Sequence, residues 1–200
     1  MKKWMICMIV ALICVSVAGY AQGVNYALSN QLLRFHVIAN SDTPDDQALK
    51  LEVRNAVMEQ IRSVLPAYAD KEETKALIQN HRDLLLTVAR KVLSEHGCRD
   101  ALSLTVEKRY FPKKDYRELS LPAGEYEAVC LEIGQAKGKN WWCVLYPSLG
   151  SPAEVIPAVK DALPEEAYDL ITSKAPEAVF RFKTVDYFMS VKEKLINEWR

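Results

Sequence analysis

Apolar positions divide the chain into a leading apolar run, a stretch with helical spacing and a stretch that alternates. After Lys2 and Lys3, residues Trp4 to Ala18 carry no charge, and small residues follow at Gly19 and Ala21. A positive start, an apolar run of about fifteen residues and a small-residue exit match a secretory signal peptide; the run is shorter than the roughly 20 residues that span a bilayer. Residues 1–21 are therefore read as a signal, with cleavage and retention as an N-terminal anchor both open. Residues 22–31 read as a short polar leader, and 32–200 as a single globular domain.

Leu32 to Ile38 alternates weakly around Phe35, Val37 and Ile38, which predicts a strand. Asn40-Ser41-Asp42 follows, three residues that turn a chain by bonding their own backbone. Thr43 is a good N-cap, Pro44 suits the first helical position, and Asp45 and Asp46 favour the first turn. Leu49, Val53, Ala56, Val57 and Ile61 recur at helical spacing, so a helix is expected to about Leu65, stopped by Pro66. Asp70 and Glu73 have the spacing of a capping box for a second long helix. Its apolar face is Leu77, Leu84, Leu85, Val88 and Val92, and Gly97 supplies the left-handed stop. The two helices are expected to pack antiparallel.

The period changes to two at Ala101, where Leu102, Leu104 and Val106 alternate with Ser103, Thr105 and Glu107. A loop with Pro112 and two lysines is expected next. Gly124–Ile133 and Asn140–Tyr146 read as two strands of a hairpin joined by residues 134–139. Pairing Ile133 with Asn140 sets Cys130 opposite Cys143, a candidate cross-strand disulfide. The segment from Ser148 to Lys174 is proline-rich and partly helical, Val179 to Phe182 a short strand. A terminal helix starts at Thr184 or Asp186 and carries Tyr187, Phe188, Val191, Leu195 and Trp199. The expected class is α+β: two long N-terminal helices packed on a mostly antiparallel sheet, with a C-terminal helix.

Charge narrows the function. The 26 basic residues fall to 24 if Lys2 and Lys3 leave with the signal, against 26 acidic ones. Without a basic excess or stripe, nucleic acid is not an expected partner. Half of the chain is apolar and only seven glycines occur, which suits an ordinary globular core and excludes a disordered or repetitive chain. Of five cysteines, Cys7 and Cys14 fall in the signal. Cys98, Cys130 and Cys143 remain, an odd set, so at least one thiol is free or pairs with another chain.

Signatures of catalysis are missing. The chain has no glycine-rich phosphate loop, no G-x-S-x-G elbow and no closely spaced histidine pair for zinc. No cofactor or metal is expected from these residues. Asp42, Asp45 and Asp46 lack the glycine and distal glutamate of a calcium loop, and helix capping accounts for them. His36 reads as a core or rim histidine, His81 as a helix-packing residue, and His96 as a cation at a helix C-terminus. Cys143, beside two tryptophans, is the residue type best suited to nucleophilic work, which requires a basic partner in space. Alternation places Trp141 and Trp142 on opposite faces of their strand. Either one indole stands at a rim as a binding hot spot, or both pack under neighbouring loops. Asn40, Ser41 and Asp42 likewise either present fixed polar groups to a partner or simply make the turn.

Three blocks resemble the stage II sporulation protein R family. The first runs from Leu33-Arg34-Phe35-His36-Val37-Ile38-Ala39-Asn40-Ser41-Asp42 through Asp46-Gln47-Ala48-Leu49-Lys50-Leu51 to Val53-Arg54-Asn55-Ala56-Val57. The second is Pro122-Ala123-Gly124-Glu125-Tyr126-Glu127-Ala128-Val129 and the third Asn140-Trp141-Trp142-Cys143-Val144-Leu145-Tyr146-Pro147. They occur in the family's order after a signal segment and span about residues 32 to 150. The resemblance implies a signalling ligand of endospore-forming bacteria, not an enzyme, secreted across the forespore membrane into the intermembrane space. There such a ligand activates a membrane-embedded aspartic protease, from its extracytoplasmic face, to mature a mother-cell sigma factor precursor. The protein's own membrane contact would run only through an uncleaved N-terminal signal. One departure stands out: the family's third block continues Pro-Pro-Leu-Cys, whereas this chain has Pro147-Ser148-Leu149-Gly150. The disulfide to that second cysteine cannot form here, which leaves Cys143 free or paired with Cys130 or Cys98. The alternatives are an extracytoplasmic cysteine-dependent hydrolase using Cys143 and a cell-envelope binding module using exposed tryptophan.

Overall fold

The computed structural model describes residues 29–66, 69–116 and 119–147, with isolated positions between 4 and 26 and at 160, 168 and 172. Most of the signal and leader, and the strand and helix expected after residue 174, lie outside the described residues. Among the described residues no helix is long and apolar enough to cross a membrane. The chain groups into two compact units: Gln31–Arg109 with Tyr126–Ala162, and Met1–Asn30 with Tyr110–Glu125 and Leu163–Arg200.

The first unit is organised by strand β1 (Leu33–Ile38), buried at all six positions. The other long strands are β2 (Leu102–Phe111), β5 (Gly124–Ile133) and β6 (Asn140–Tyr146), and the sheet order is β2-β5-β1-β6. β1 runs parallel to β5, with Phe35 opposite Val129 and His36 opposite Cys130. It runs antiparallel to β6, with Phe35 opposite Cys143 and His36 opposite Trp142. The α+β class holds, but the sheet is mixed. Both strands of the expected hairpin exist within the expected limits, yet they are not neighbours, because β1 lies between them. Alternation shows which side chains share a face and says nothing about which strand lies alongside.

Three helices pack on one face of this sheet. Helix α1 (Pro44–Val64) begins as expected: the Thr43 hydroxyl accepts from the Asp46 N–H and Pro44 fills the first turn. Helix α2 (Lys71–Asn80) is capped by Asp70, whose carboxylate accepts from the Glu73 N–H at 2.8 Å. The single second helix expected up to Gly97 is instead two, because α3 (Arg82–Glu95) follows a break at His81, where φ is −99° and ψ is 15°. Both the His81 N–H, at 3.0 Å, and its ring Nδ1, at 2.8 Å, lie on the Leu77 carbonyl, an extra claim on that oxygen that marks the break. At the far end Gly97 has φ +69°, and the Cys98 N–H reaches the Leu93 carbonyl while the Gly97 N–H reaches Ser94. That is a Schellman stop, as the glycine implied. His96, just past the end of α3, lies 2.8 Å from Glu52 in the first half of α1.

The core lies between helices and sheet. Val53, Val57 and Ile61 of α1 and Leu85, Ala89 and Leu93 of α3 meet Phe35, Val37, Val129, Leu131, Cys143 and Leu145. Lys71 and Lys75 of α2 both reach Glu127 on the same sheet face, at 2.6 and 3.1 Å. In the second unit the expected loop after Pro112 is a small antiparallel ribbon of β3 (Lys114–Tyr116) and β4 (Leu119–Leu121), in which Asp115 faces Ser120. Strands of three residues with charged positions leave little alternation to read.

Candidate functional site

The polar turn after β1 and the loop between β5 and β6 form one hydrogen-bonded unit. The Asn40 side chain donates to Asp46 at 3.1 Å and accepts from the Gln135 N–H at 3.0 Å. The Ser41 hydroxyl donates to the same Asp46 carboxylate, and Asp42 accepts from the Lys139 N–H at 2.6 Å. The Gly138 N–H donates to the Ala39 carbonyl and the Lys137 N–H to the Asn40 carbonyl. Gln47 donates to the Ser41 carbonyl at 2.9 Å. These bonds hold the Asp46 carboxyl below its usual pKa, with the Ser41 hydroxyl as the largest cause. The approach is so close that a Cβ on Gly138 would overlap the Ser41 carbonyl, and one on Gly134 the Asn40 side chain. The side chains of Asn40, Ser41 and Asp42 are thus engaged within the protein.

A basic cluster adjoins this unit. Lys50 is 4% exposed, and its ammonium donates to Gln47 Oε1 at 2.7 Å and to the Lys139 carbonyl at 2.9 Å. Burial, then the nearby Arg54, push its pKa down. Arg54, one turn further along α1, lies with its guanidinium 4.4 Å from the centre of the Trp141 ring and bonds Asn55 Oδ1. The sequence reading passed over Lys50, Arg54 and Lys139. A signal was present, since Lys50 sits three and seven residues before Val53 and Val57, on the apolar stripe of α1.

The two tryptophans do fall on opposite faces. Trp141 packs edge-on against Phe35, with ring centres 6.4 Å apart, on the helix side. Trp142 is tilted against His36 at 5.8 Å on the other. Both are half-buried.

That other face carries polar groups in the interior. Arg34 is fully buried, donates to the Cys143 carbonyl at 3.1 Å and lies 5.1 Å from the Tyr126 ring centre. Burial pushes the His36 pKa down to about 4, only partly opposed by a hydrogen bond with Asn140. Cys130 stands beside His36, and burial pushes its thiol up to about 12.

Cys143 lies on the helix side, also pushed up to about 12 by burial. The expected Cys130–Cys143 disulfide is therefore corrected: both thiols are free, point to opposite faces and are separated by β1. Two strand spacings of about 4.8 Å place them beyond the roughly 7 Å limit for a bridge. Cys98 is free as well.

Two expectations follow. Gly138→Ala should destabilise the protein by about 2–3 kcal/mol in denaturant melts, whereas Lys137→Ala at the exposed neighbouring position should stay within about 0.5 kcal/mol. His36 takes its proton near pH 6.5 when unfolded and near pH 4 when folded, so stability should fall as pH drops between those values. Between pH 7 and pH 5 the loss should be about 2 kcal/mol, and His36→Gln should remove that part of the slope. An imidazole resonance titrating near its ordinary value in the folded protein would refute this.

The comparisons with known proteins converge. The family model described as stage II sporulation protein R matches residues 29–153. A protein of that name from Bacillus subtilis (strain 168) is 34% identical over 122 residues, 61% of this chain and 54% of that protein. The chain thus spans about half the length of the curated relative it matches. No solved structure matches it. The matched stretch contains every element from β1 to β6, including the clamped turn and the basic cluster. On that coverage, the chain belongs to the stage II sporulation protein R family.

Proposed function

We propose that this protein is an exported signal of sporulation. It activates a membrane-embedded aspartic protease from the extracytoplasmic face, and that protease then matures a mother-cell sigma factor precursor. The family match over residues 29–153 is the observation that carries this reading. On this reading residues 1–21 act as the export segment, and the destination, as the family resemblance implies, is the space between the forespore and mother-cell membranes. Its action is that of a ligand, through surface contacts, without a cofactor.

The state of Cys143 weakens the hydrolase alternative. A nucleophile has to be accessible and at least partly ionised, whereas this thiol is 4% exposed and pushed up to about 12. His36, on the neighbouring strand, turns its ring to the opposite face of the sheet, so it is not placed to take a proton from this thiol. An envelope-binding role would use an open indole face. Arg54 lies over the Trp141 ring and His36 beside that of Trp142.

The test is to express the protease with its precursor substrate in a non-sporulating host and supply this protein from outside. Cleavage should appear with the wild-type protein and equally with Cys143→Ser, whose cost should be confined to about 1–2 kcal/mol of stability for a buried hydroxyl. Failure of the wild type to promote cleavage would sink the activator reading. Loss of cleavage with a folded, secreted Cys143→Ser would instead favour catalysis.

A further inference from the structure

The cluster of Lys50, Arg54 and Lys139 beside Trp141 has more positive charge than the protein itself neutralises. Ion pairs in the described residues satisfy Lys71, Lys75, Lys91, Arg109 and Lys113, but none reaches Lys50, Arg54 or Lys139. The Lys50 ammonium is buried against a neutral amide oxygen and a backbone carbonyl. Arg54 and Lys139 repel it, and Asp42 gives partial relief. Burying a cation without a carboxylate is unfavourable, so this corner carries a standing demand for negative charge.

We infer that Arg54, Lys139 and the half-buried Trp141 form the docking surface for an acidic segment of a protein partner. On the reading under Proposed function, on which this inference rests, that partner is the extracytoplasmic face of the protease. Three features fit a carboxylate-bearing segment. Arg54 is held against an indole and, through Nε and Nη2, by Asn55, so its guanidinium is fixed and its Nη1/Nη2 end is left for a carboxylate at little entropic cost. Leu51, three residues earlier on the same helix face, is 38% exposed and adds an apolar contact beside the charge. Arginine and tryptophan together are the residue types most enriched at binding hot spots. An anionic bilayer fits less well, because an extended surface would also meet the exposed Asp42, Asp45, Glu52 and Glu59 of the same turn and helix, whereas a short segment can confine its charge to Arg54 and Lys139.

The test uses the full chain in the cleavage assay at limiting concentration, with Arg54→Glu, Lys139→Glu and the double variant. Lys139 takes part in the clamp only through its backbone, so its reversal leaves that structure in place; Arg54→Gln separates charge from stacking. Each reversal should raise the concentration needed for half-maximal cleavage about tenfold, with thermal melting unchanged for Lys139→Glu, and Arg54→Gln should fall in between. Raised salt should weaken the wild type and leave the double variant largely insensitive. Wild-type behaviour of the double variant would overturn the surface while the activator reading stands. Unchanged cleavage together with lost binding to phosphatidylglycerol vesicles would overturn it in favour of a membrane. No cleavage even with the wild type would remove the activator reading and this surface with it.

Discussion

The structure depends on one topological constraint: the first strand of the sheet lies between two strands that are consecutive in sequence. β5 and β6 flank β1, so the loop at 134–139 must cross the end of β1 where the chain turns into α1. Two strands are about 10 Å apart across an intervening one, well within the reach of six residues. The crossing nevertheless presses one backbone against another. Glycine at 138 is the local answer, since any side chain there would meet the Ser41 carbonyl. The remaining polar groups are then matched one to one. Asn40 satisfies Gln135, Asp42 satisfies Lys139, and the Ala39 carbonyl satisfies Gly138. An unmet donor or acceptor at such a crossing would cost about 1–3 kcal/mol.

The same insertion explains why β1 is buried throughout although its sequence is Leu-Arg-Phe-His-Val-Ile. Leu33, Phe35 and Val37 face the helices, whereas Arg34 and His36 go into the other side of the sheet. Their chemistry is muted there. His36 is kept neutral by burial, Cys130 beside it is kept protonated, and Arg34 is spent on a backbone carbonyl and an aromatic ring. A neutral imidazole next to an un-ionised thiol supplies neither a base strong enough nor a nucleophile charged enough for covalent work. The polar residues of β1 serve to place the strand.

Local features were legible, and neighbours were not. The cap at Thr43, Pro44 in the first helical turn, the stop at Gly97 and the limits of β5 and β6 all follow from residue type and period. The expected hairpin failed because a six-residue connection is common to both true hairpins and strands with a third inserted between them. The break at His81 leaves no punctuation by glycine or proline. Asn40, Ser41 and Asp42 were legible as a turn, and Ser41 bonds locally to Asp46, but the backbone N–H groups that engage Asn40 and Asp42 lie 95 and 97 residues away. Trp141 was singled out rightly as different in face from Trp142, while its partner Arg54 could be found only through the tertiary fold.

A buried lysine links the frame to the surface. Lys50 is held by Gln47 of α1 and by the carbonyl of Lys139, the residue whose N–H Asp42 fixes. The backbone at Lys139, from which its side chain projects, is therefore set by the crossing, not by the loop's own preferences. Arg54 is set by the same helix and by an indole on β6. A ligand that acts by contact alone gains affinity when its charges are pre-arranged, because ordering a long side chain on binding costs about 0.5–1.5 kcal/mol each. On the activator reading, the clamp beneath the loop and the charge above it are two ends of one device. Loosening Gly138 or Asn40 would blur the surface before it unfolded the protein. Mutations in the turn would then mimic mutations at a partner contact, so a loss of signalling at Asn40 does not by itself mark that residue as touching the protease.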